Sequence, residues 1–217
     1  MKRIVLTAII PVFAAVVLFF AGCGKSKTTA DSSFKVVASF YPVYIIAKNV
    51  TGGVTGVSLS NMTPPVTGCL HDYSVTTDDM KKLEGANVFL ANGTGMESFM
   101  DKITGRYPSM KIAELSKGIK LIKDSGGENP HVWVSAANAA VMTRNCASVL
   151  ADADPSHAKE YRANAEEYAA KLEALDTEMK TALAPYRGRK IVTFHEAFPY
   201  FAAEFGFEIA AVVEREP

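Results

Sequence analysis

The four histidines are the residues of this sequence best suited to bind a transition metal. Zinc accepts neutral imidazole nitrogen and favours four ligands in a tetrahedron. His71, His131 and His195 stand in predicted loops, 60 and then 64 residues apart, whereas His157 lies in the first turn of a predicted long helix. These separations form no local chelate pattern, so spacing alone leaves open whether the three bind one ion or act separately. We expect His157 to be exposed and without a role.

Two of the three cysteines are candidates for a disulfide or a sulfur ligand. Cys69 and Cys146 either pair or lie as two separate buried side chains, because sequence cannot show whether they meet. Cys69 is two residues from His71, so a sulfur ligand to the same metal is a further alternative. The third cysteine, Cys23, belongs to a different context near the N-terminus.

A zinc hydrolase is the alternative from another functional class, since three histidines and a water molecule can form a catalytic shell. His195-Glu196 begins like the metalloprotease motif H-E-x-x-H, but Pro199 stands where the second histidine would be. The sequence also contains no G-x-S-x-G elbow and no phosphate-binding glycine loop. These features favour a binding protein over an enzyme.

The N-terminus is typical of an exported lipoprotein. Basic Lys2 and Arg3 precede an apolar stretch from Ile4 to Phe20, which is too short for a membrane span of about 20 residues. Ala21-Gly22-Cys23 then resembles the bacterial lipobox, although Phe20 departs from its pattern. We predict a signal peptide over residues 1–22, an acylated Cys23 as membrane anchor, and a disordered tether over residues 23–33. The folded part is therefore expected outside the cytoplasm, anchored by lipid to the cell membrane.

The charge balance argues against nucleic acid as a partner. The chain has 23 Lys and Arg against 23 Asp and Glu. Without Lys2 and Arg3, 21 basic residues would remain against 23 acidic ones. Proteins that bind nucleic acid usually carry a clear basic excess.

From Phe34 onward, short β-rich segments alternate with helical ones, which predicts a parallel sheet with helices on its faces. The predicted strands are Lys35–Phe40, Asn87–Ala91, Lys111–Glu114 and Ile119–Ile122. The predicted helices are Pro42–Val50, Thr76–Leu83 with a Thr76/Asp79 capping box, Met96–Ile103 and Ala136–Leu150. Ligands of such sheets collect beyond the carboxyl ends of the strands. The loops that carry His71 and His131 are suited to that edge.

A long helix follows, for which Asp154 is the predicted N-cap and Pro155 the first-turn residue. Its apolar stripe runs at spacings of three and four through residues 158, 161, 165, 168, 172, 175 and 179. We interpret residues 155–184 as a rigid spine between a first lobe, residues 34–154, and a second lobe that begins at 185. The second lobe contains a predicted strand, helix and strand at Lys190–Phe194, Ala197–Phe205 and Phe207–Val213. Because the chain stops there, we expect residues 185–217 to be an incomplete lobe.

Four local motifs, in this order, resemble the zinc- and manganese-binding solute-binding lipoproteins of ABC transporters. They are His71-Asp72-Tyr73, Asn92-Gly93-Thr94-Gly95-Met96-Glu97, Asn129-Pro130-His131-Val132-Trp133 and Thr193-Phe194-His195-Glu196-Ala197-Phe198. The resemblance extends from about Phe34 to the end. It implies an α/β fold of two parallel-sheet lobes joined by one long rigid helix, with the second lobe incomplete here.

The resemblance also implies roles for the three loop histidines. His71 and His131 would bind the metal from the first lobe and His195 from the second, while the expected fourth ligand, an acidic residue, lies beyond the chain. Histidine at position 195 accompanies zinc in this family and glutamate accompanies manganese, as ligand softness suggests. Zn²⁺ is therefore the expected transported ligand, with Mn²⁺ as the alternative. The residues before His71, Thr67 to Leu70, depart from the family pattern, and the histidine-rich loop of some zinc members is absent.

The function implied is capture of zinc outside the cytoplasm and delivery to the membrane subunit of an ABC permease. The protein is expected to act as a monomer. A surface adhesion lipoprotein is the alternative of a different class, because adhesion requires no local motif.

Overall fold

A computed structural model describes residues 33–65, 70, 73–124 and 127–213. Several predicted features lie outside these residues, namely the signal peptide, Cys23, all but the last residue of the tether, Cys69 and His71. No helix of the described part is both long and apolar enough to cross a bilayer.

The first lobe contains a four-stranded parallel sheet. Its strands are β1 (Phe34–Ala38), β2 (Val57–Asn61), β3 (Val88–Ala91) and β4 (Lys111–Glu114), in the spatial order β2-β1-β3-β4. Val36 of β1 pairs with Leu59 on one side and Val88 on the other. The central strands β1 and β3 carry the most deeply buried side chains, which explains their continuous apolar runs. The predicted parallel sheet is thus confirmed.

Four helices flank the sheet. They are α1 (Tyr41–Thr51), α2 (Thr77–Lys82), α3 (Met100–Arg106) and α4 (Ala136–Ala153). α1 buries Val43, Ile46, Ala47 and Val50, one stripe at helical spacing. α2 begins with the predicted capping box, in which the Thr76 hydroxyl accepts from Asp79 N and the Asp79 carboxylate accepts from Thr76 N. These local patterns fix where α1 and α2 lie along the chain.

Two strand predictions differ from the structure. β2 is not among the predicted strands, although Val57 and Leu59 alternate with serines. The predicted strand Ile119–Ile122 is wrong, because Ile122 N donates to the Tyr200 hydroxyl and Ile122 O accepts from Asn129 N. Its apolar residues pack on the core without joining the sheet. A short antiparallel hairpin follows instead, formed by β5 (Lys123–Asp124) and β6 (Gly127–Glu128).

The long helix α5 spans Ala158–Leu183, 26 residues or roughly 39 Å. Tight 3₁₀ turns at Pro155–His157 and Ala184–Tyr186 extend it at both ends. Asp154 does not cap the backbone as predicted. Its carboxylate accepts from Ser156 Oγ and Tyr161 Oη and pairs with His157 Nδ1.

The buried face of α5 changes along its length. Tyr161, Ala165 and Ala169 are buried in the N-terminal half, where the helix packs on α1 and α4. Leu175 is 45% exposed, and the neighbouring Asp176 is buried instead. The predicted apolar stripe is therefore buried only in part, and its C-terminal half makes polar contacts.

The second lobe contains two parallel strands and one helix, β7 (Lys190–Thr193), α6 (Pro199–Phe205) and β8 (Glu208–Val212). Phe201 of α6 packs on Phe205 and stacks on Phe207, with ring centroids 4.8 and 5.8 Å apart. α6 ends at Gly206, whose φ of 75° suits a glycine. The fold class is the predicted one, with parallel α/β units on either side of a long helix.

Candidate metal centre

Two of the predicted ligands meet where the two lobes approach each other. His131 of the first lobe and His195 of the second have their Nε2 atoms 3.0 Å apart. The rings cross edge to face, with centroids 4.8 Å apart. His131 is only 2% exposed. Their separation of 64 positions in the chain gave no indication of this proximity, whereas the family resemblance implied it.

The separation of these nitrogens suits a tetrahedral zinc ion. Two nitrogens that each lie about 2.0–2.1 Å from such an ion are roughly 3.3 Å apart. The observed 3.0 Å needs only a small adjustment of either ring. No group of three His, Cys, Asp or Glu suited to a metal occurs within the described ranges, from which His71 is missing. The described part of the site therefore consists of an imidazole pair.

His131 is held by its neighbours in sequence and by aromatic packing. It directly precedes the 3₁₀ turn Val132–Val134, after which Ser135 caps α4 by accepting from Asn138 N. The Trp133 ring lies 5.2 Å from the imidazole and packs edge-on against Phe40 at the end of β1. The imidazole thus projects from a segment anchored on both sides.

The loop after β3 supports the same segment. The Glu97 carboxylate accepts from Ser39 Oγ, Asn92 N and Gly93 N at 2.7–3.0 Å. Burial raises the pKa of Glu97, and these hydrogen bonds oppose that rise. Asn92 Nδ2 in turn donates to Pro130 O, next to His131. Residues predicted as the start of a helix at Met96 form this loop instead, and α3 begins only at Met100.

Gly93 is required within this loop. Its φ is 86°, and an added Cβ would lie 2.8 Å from the Cβ of Glu114. Any larger residue would be strained and would displace β4. The glycine therefore allows the loop to pack closely against the end of β4.

His195 lies two residues after the end of β7, and polar contacts join its surroundings to the first lobe. Asn129 Nδ2 donates to Glu196 O at 2.8 Å, and Tyr200 Oη donates to Asn129 O at 2.7 Å. Tyr200 Oη also accepts from Ile122 N. These bonds connect the segments on either side of the imidazole pair.

A cavity of about 360 Å³ opens beside these contacts. Residues of both lobes line it, including Lys120, Asn138, Tyr200 and Glu204. The cavity therefore lies in the cleft between the lobes. One of its lining residues, Tyr200, is the residue that donates to Asn129 O.

Other predicted residues have different positions. His157 is half-buried rather than exposed, and its Nδ1 lies 2.6 Å from an Asp154 carboxylate oxygen, far along the chain from both site histidines. That it has no functional role stays a prediction. Cys146 is a free thiol, and its complete burial raises its pKa. Cys69 and Cys23 lie outside the described residues.

Asn129 and Glu97 are the residues near the site whose contacts sequence reasoning missed. Both belong to motifs that carry the family resemblance, Asn129-Pro130-His131 and Asn92-Gly93-Thr94-Gly95-Met96-Glu97. A polar residue two positions before a candidate ligand was the available signal, because metal-binding histidines usually bond to a second polar group.

Comparison with known families adds independent evidence. The family model described as zinc-uptake complex component A, periplasmic, matches residues 36–217. The match covers both lobes and the long helix. The members of this family are solute-binding proteins and not enzymes, which argues against the zinc hydrolase considered above.

Individual relatives are named for different metals. The chain is 32% identical to the iron-binding protein YfeA of Yersinia pestis, over 90% of this chain and 64% of the relative. It is 29% identical to the high-affinity zinc uptake system protein ZnuA of Bacillus subtilis, over 95% of this chain and 70% of the relative. Other similar proteins are named for zinc or manganese. The chain thus spans about two thirds of the length of these first two relatives.

A solved structure shares the fold. The crystal structure of a ZnuA protein superposes with a TM-score of 0.77 at 25% identity, covering 85% of this chain and 71% of that one. This likeness extends across both lobes of the described chain.

Proposed function

Because the chain belongs to the family of periplasmic zinc-uptake components, we propose that it captures Zn²⁺ between its lobes and delivers it to an ABC permease. His131 and His195 are the ligands contributed by the described residues. The observation that carries the proposal is the 3.0 Å contact between their Nε2 atoms, one from each lobe. Ions that bind both imidazoles would hold the lobes together.

Zinc is favoured over manganese by the chemistry of these two ligands. Imidazole is a good ligand for zinc, whereas manganese prefers a shell richer in carboxylates and water. Iron also accepts imidazole, and one relative is named for iron. Zinc-named relatives and the imidazole pair together support zinc as the transported ion, with Mn²⁺ as the alternative.

Further ligands complete the proposed shell. His71 is the third imidazole, from the loop that precedes α2. Zinc favours four ligands, and a carboxylate or a water molecule would fill the fourth position. No catalytic step is involved, because the ion exchanges its water for protein ligands and leaves unchanged.

The proposed cellular setting follows from the N-terminal sequence and the family. Residues 1–22 direct export, Cys23 carries the lipid anchor, and residues 23–33 tether the lobes to the outer face of the cell membrane. We assign residues 34–154 to the first lobe, 155–184 to the connecting helix and 185–217 to the second lobe. The protein meets its permease as a monomer.

Zinc titration of single variants tests the proposal. Calorimetry on the chain without its signal peptide should show one tightly bound zinc. His131→Ala and His195→Ala should each weaken zinc binding by at least about 100-fold. Loss of a residue that only hydrogen-bonds to a ligand typically lowers metal affinity by about 10- to 100-fold. Competition with Mn²⁺ in the same experiment should leave zinc bound.

His157→Ala is the matched control. It removes a histidine that contacts Asp154 and neither site imidazole, so zinc affinity should stay within about twofold of the unaltered chain. Binding that survives both site substitutions, or falls equally in His157→Ala, would contradict the proposed site.

A further inference from the structure

Asn129 contacts His131 and the residue that follows His195. It lies in the loop before His131, and its side chain is buried. Asn129 Oδ1 is 3.0 Å from His131 N and 3.0 Å from His131 Nδ1. Its Nδ2 is 2.8 Å from the backbone oxygen of Glu196, the residue that follows His195. One amide therefore touches the segment of each ligand.

The orientation of this amide is set by two independent backbone groups. The His131 N–H can only donate, so the Asn129 atom that faces it must be the oxygen. The Glu196 carbonyl can only accept, so the atom that faces it must be the nitrogen. Both requirements give the same orientation of the amide.

The fixed amide determines which nitrogen of His131 carries the proton. Because Nδ1 faces an oxygen that only accepts, Nδ1 must be the N–H of the neutral ring. Nε2 then keeps its lone pair and points at His195. The 3.0 Å contact between the rings is accordingly a hydrogen bond that His195 Nε2 donates.

We propose that Asn129 is a positioning residue for zinc, which fixes the Nε2 lone pair of His131 and holds the His195 segment of the other lobe against it. This inference rests on the proposed function and names the residue that orients the ligands of the proposed zinc site. Partners that orient a metal-binding histidine typically contribute 10- to 100-fold in affinity.

Two further hydrogen bonds, both made by Tyr200 Oη, also join the two lobes. Tyr200 Oη donates to the Asn129 carbonyl and accepts from Ile122 N. The backbone and the side chain of Asn129 therefore both bond to the second lobe. Movement of one lobe would disturb the same residue that orients His131.

The test combines zinc affinity with the protonation site of His131. In metal-free protein labelled with ¹⁵N-histidine, NMR should show His131 protonated at Nδ1, with its signals identified by their loss in His131→Ala. Asn129→Ala should weaken zinc binding 10- to 100-fold and remove this Nδ1 preference. Asn129→Asp should restore the Nδ1 proton, because a carboxylate oxygen still accepts from it.

Asn145→Ala is the matched control. Asn145 Nδ2 donates to two backbone oxygens, those of Leu115 and Lys117, and contacts neither imidazole. Its loss should change neither zinc affinity nor the His131 spectrum. Circular dichroism checks that each variant is folded, and the spectrum of the unaltered chain tests the proposal even if Asn129→Ala does not fold.

The outcomes separate this inference from the proposed function. His131 protonated at Nε2 in the unaltered chain would overturn it, as would unchanged zinc affinity in a folded Asn129→Ala. Failure of the unaltered chain to bind zinc would instead overturn the proposed function, because the protonation site is measured without metal.

Discussion

Asp154 shows how one side chain joins two helices. Its carboxylate lies at the end of α4 and accepts from Ser156 Oγ and Tyr161 Oη at 2.5 and 2.8 Å, while His157 Nδ1 lies 2.6 Å away. Burial opposes ionisation of Asp154, but the hydrogen bonds outweigh it and lower the pKa of the carboxyl. The charged form is therefore the one that stabilises the start of the long helix.

Asp154→Asn should lower the free energy of unfolding by about 1–3 kcal/mol at pH 7, because charge-assisted hydrogen bonds are lost. A carboxyl whose folded-state pKa is lowered contributes stability above its unfolded pKa near 3.9 and loses it as pH falls through the folded value. The difference from the unaltered chain should thus shrink between pH 5 and pH 3 in urea titrations. Exposed Asp152→Asn should change stability by less than about 0.5 kcal/mol. A difference independent of pH would contradict this role of the charge.

The motifs around the candidate histidines predicted more of the site than the spacing between those histidines did. His131 and His195 were predicted from the motifs around them, and the structure brings them together. The contacts of Asn129 with Glu196 O were not predicted, because they join residues 67 apart in sequence and depend on how the lobes approach. The local sequence of His157 predicts an exposed side chain and does not show that an Asp154 oxygen lies 2.6 Å from its Nδ1.

Two carboxyl groups lie where α5 and α6 contact each other. Lys180 Nζ lies 2.6 Å from an Asp176 oxygen of α5 and 4.0 Å from a Glu204 oxygen of α6, so the two carboxyl groups share one cation. Burial, and then the neighbouring Asp176, raise the pKa of Glu204, while Ser135 and Lys180 act in the opposite direction. Lys120 lines the same cavity as Glu204. The contact between these helices is therefore sensitive to pH.

Glu204→Gln should stabilise the chain at pH 7.5 and have little effect near pH 4. A carboxyl whose folded-state pKa is raised contributes stability that is present below its unfolded pKa and lost as pH rises through the folded value. The amide removes the negative charge that Glu204 carries at pH 7.5 in a buried position beside Asp176. Thermal melting at both pH values measures the effect, with exposed Glu208→Gln as control. A loss of stability in Glu204→Gln at pH 7.5 would contradict a destabilising charge on Glu204.

Elements with strong local patterns were predicted well. The capping box places α2, the apolar stripe places α1, and the long amphipathic run places α5. The segment at Ile119–Ile122 was misassigned because burial on the core requires apolar residues whether or not a strand forms. The sequence predicts a helix at Met96 where the structure has a loop, because the hydrogen bonds that Asn92 N and Gly93 N donate to Glu97 carry no periodic signal.

At the scale of the molecule, the long helix packs on the first lobe through its N-terminal half and contacts α6 through its C-terminal half. Asn129, Tyr200 and the imidazole pair form a second connection across the cleft. The resemblance predicted this two-lobed arrangement, but the bonds that connect the lobes depend on tertiary geometry. A ligand bound by both imidazoles would strengthen the second connection without changing the first.

The most direct test of zinc binding between the lobes is an anomalous difference map at the zinc absorption edge, from crystals grown with one equivalent of Zn²⁺. The predicted result is one strong peak about 2.0–2.1 Å from both His131 Nε2 and His195 Nε2. A zinc peak that contacts neither imidazole, or only one of them, would contradict a site shared by the two lobes.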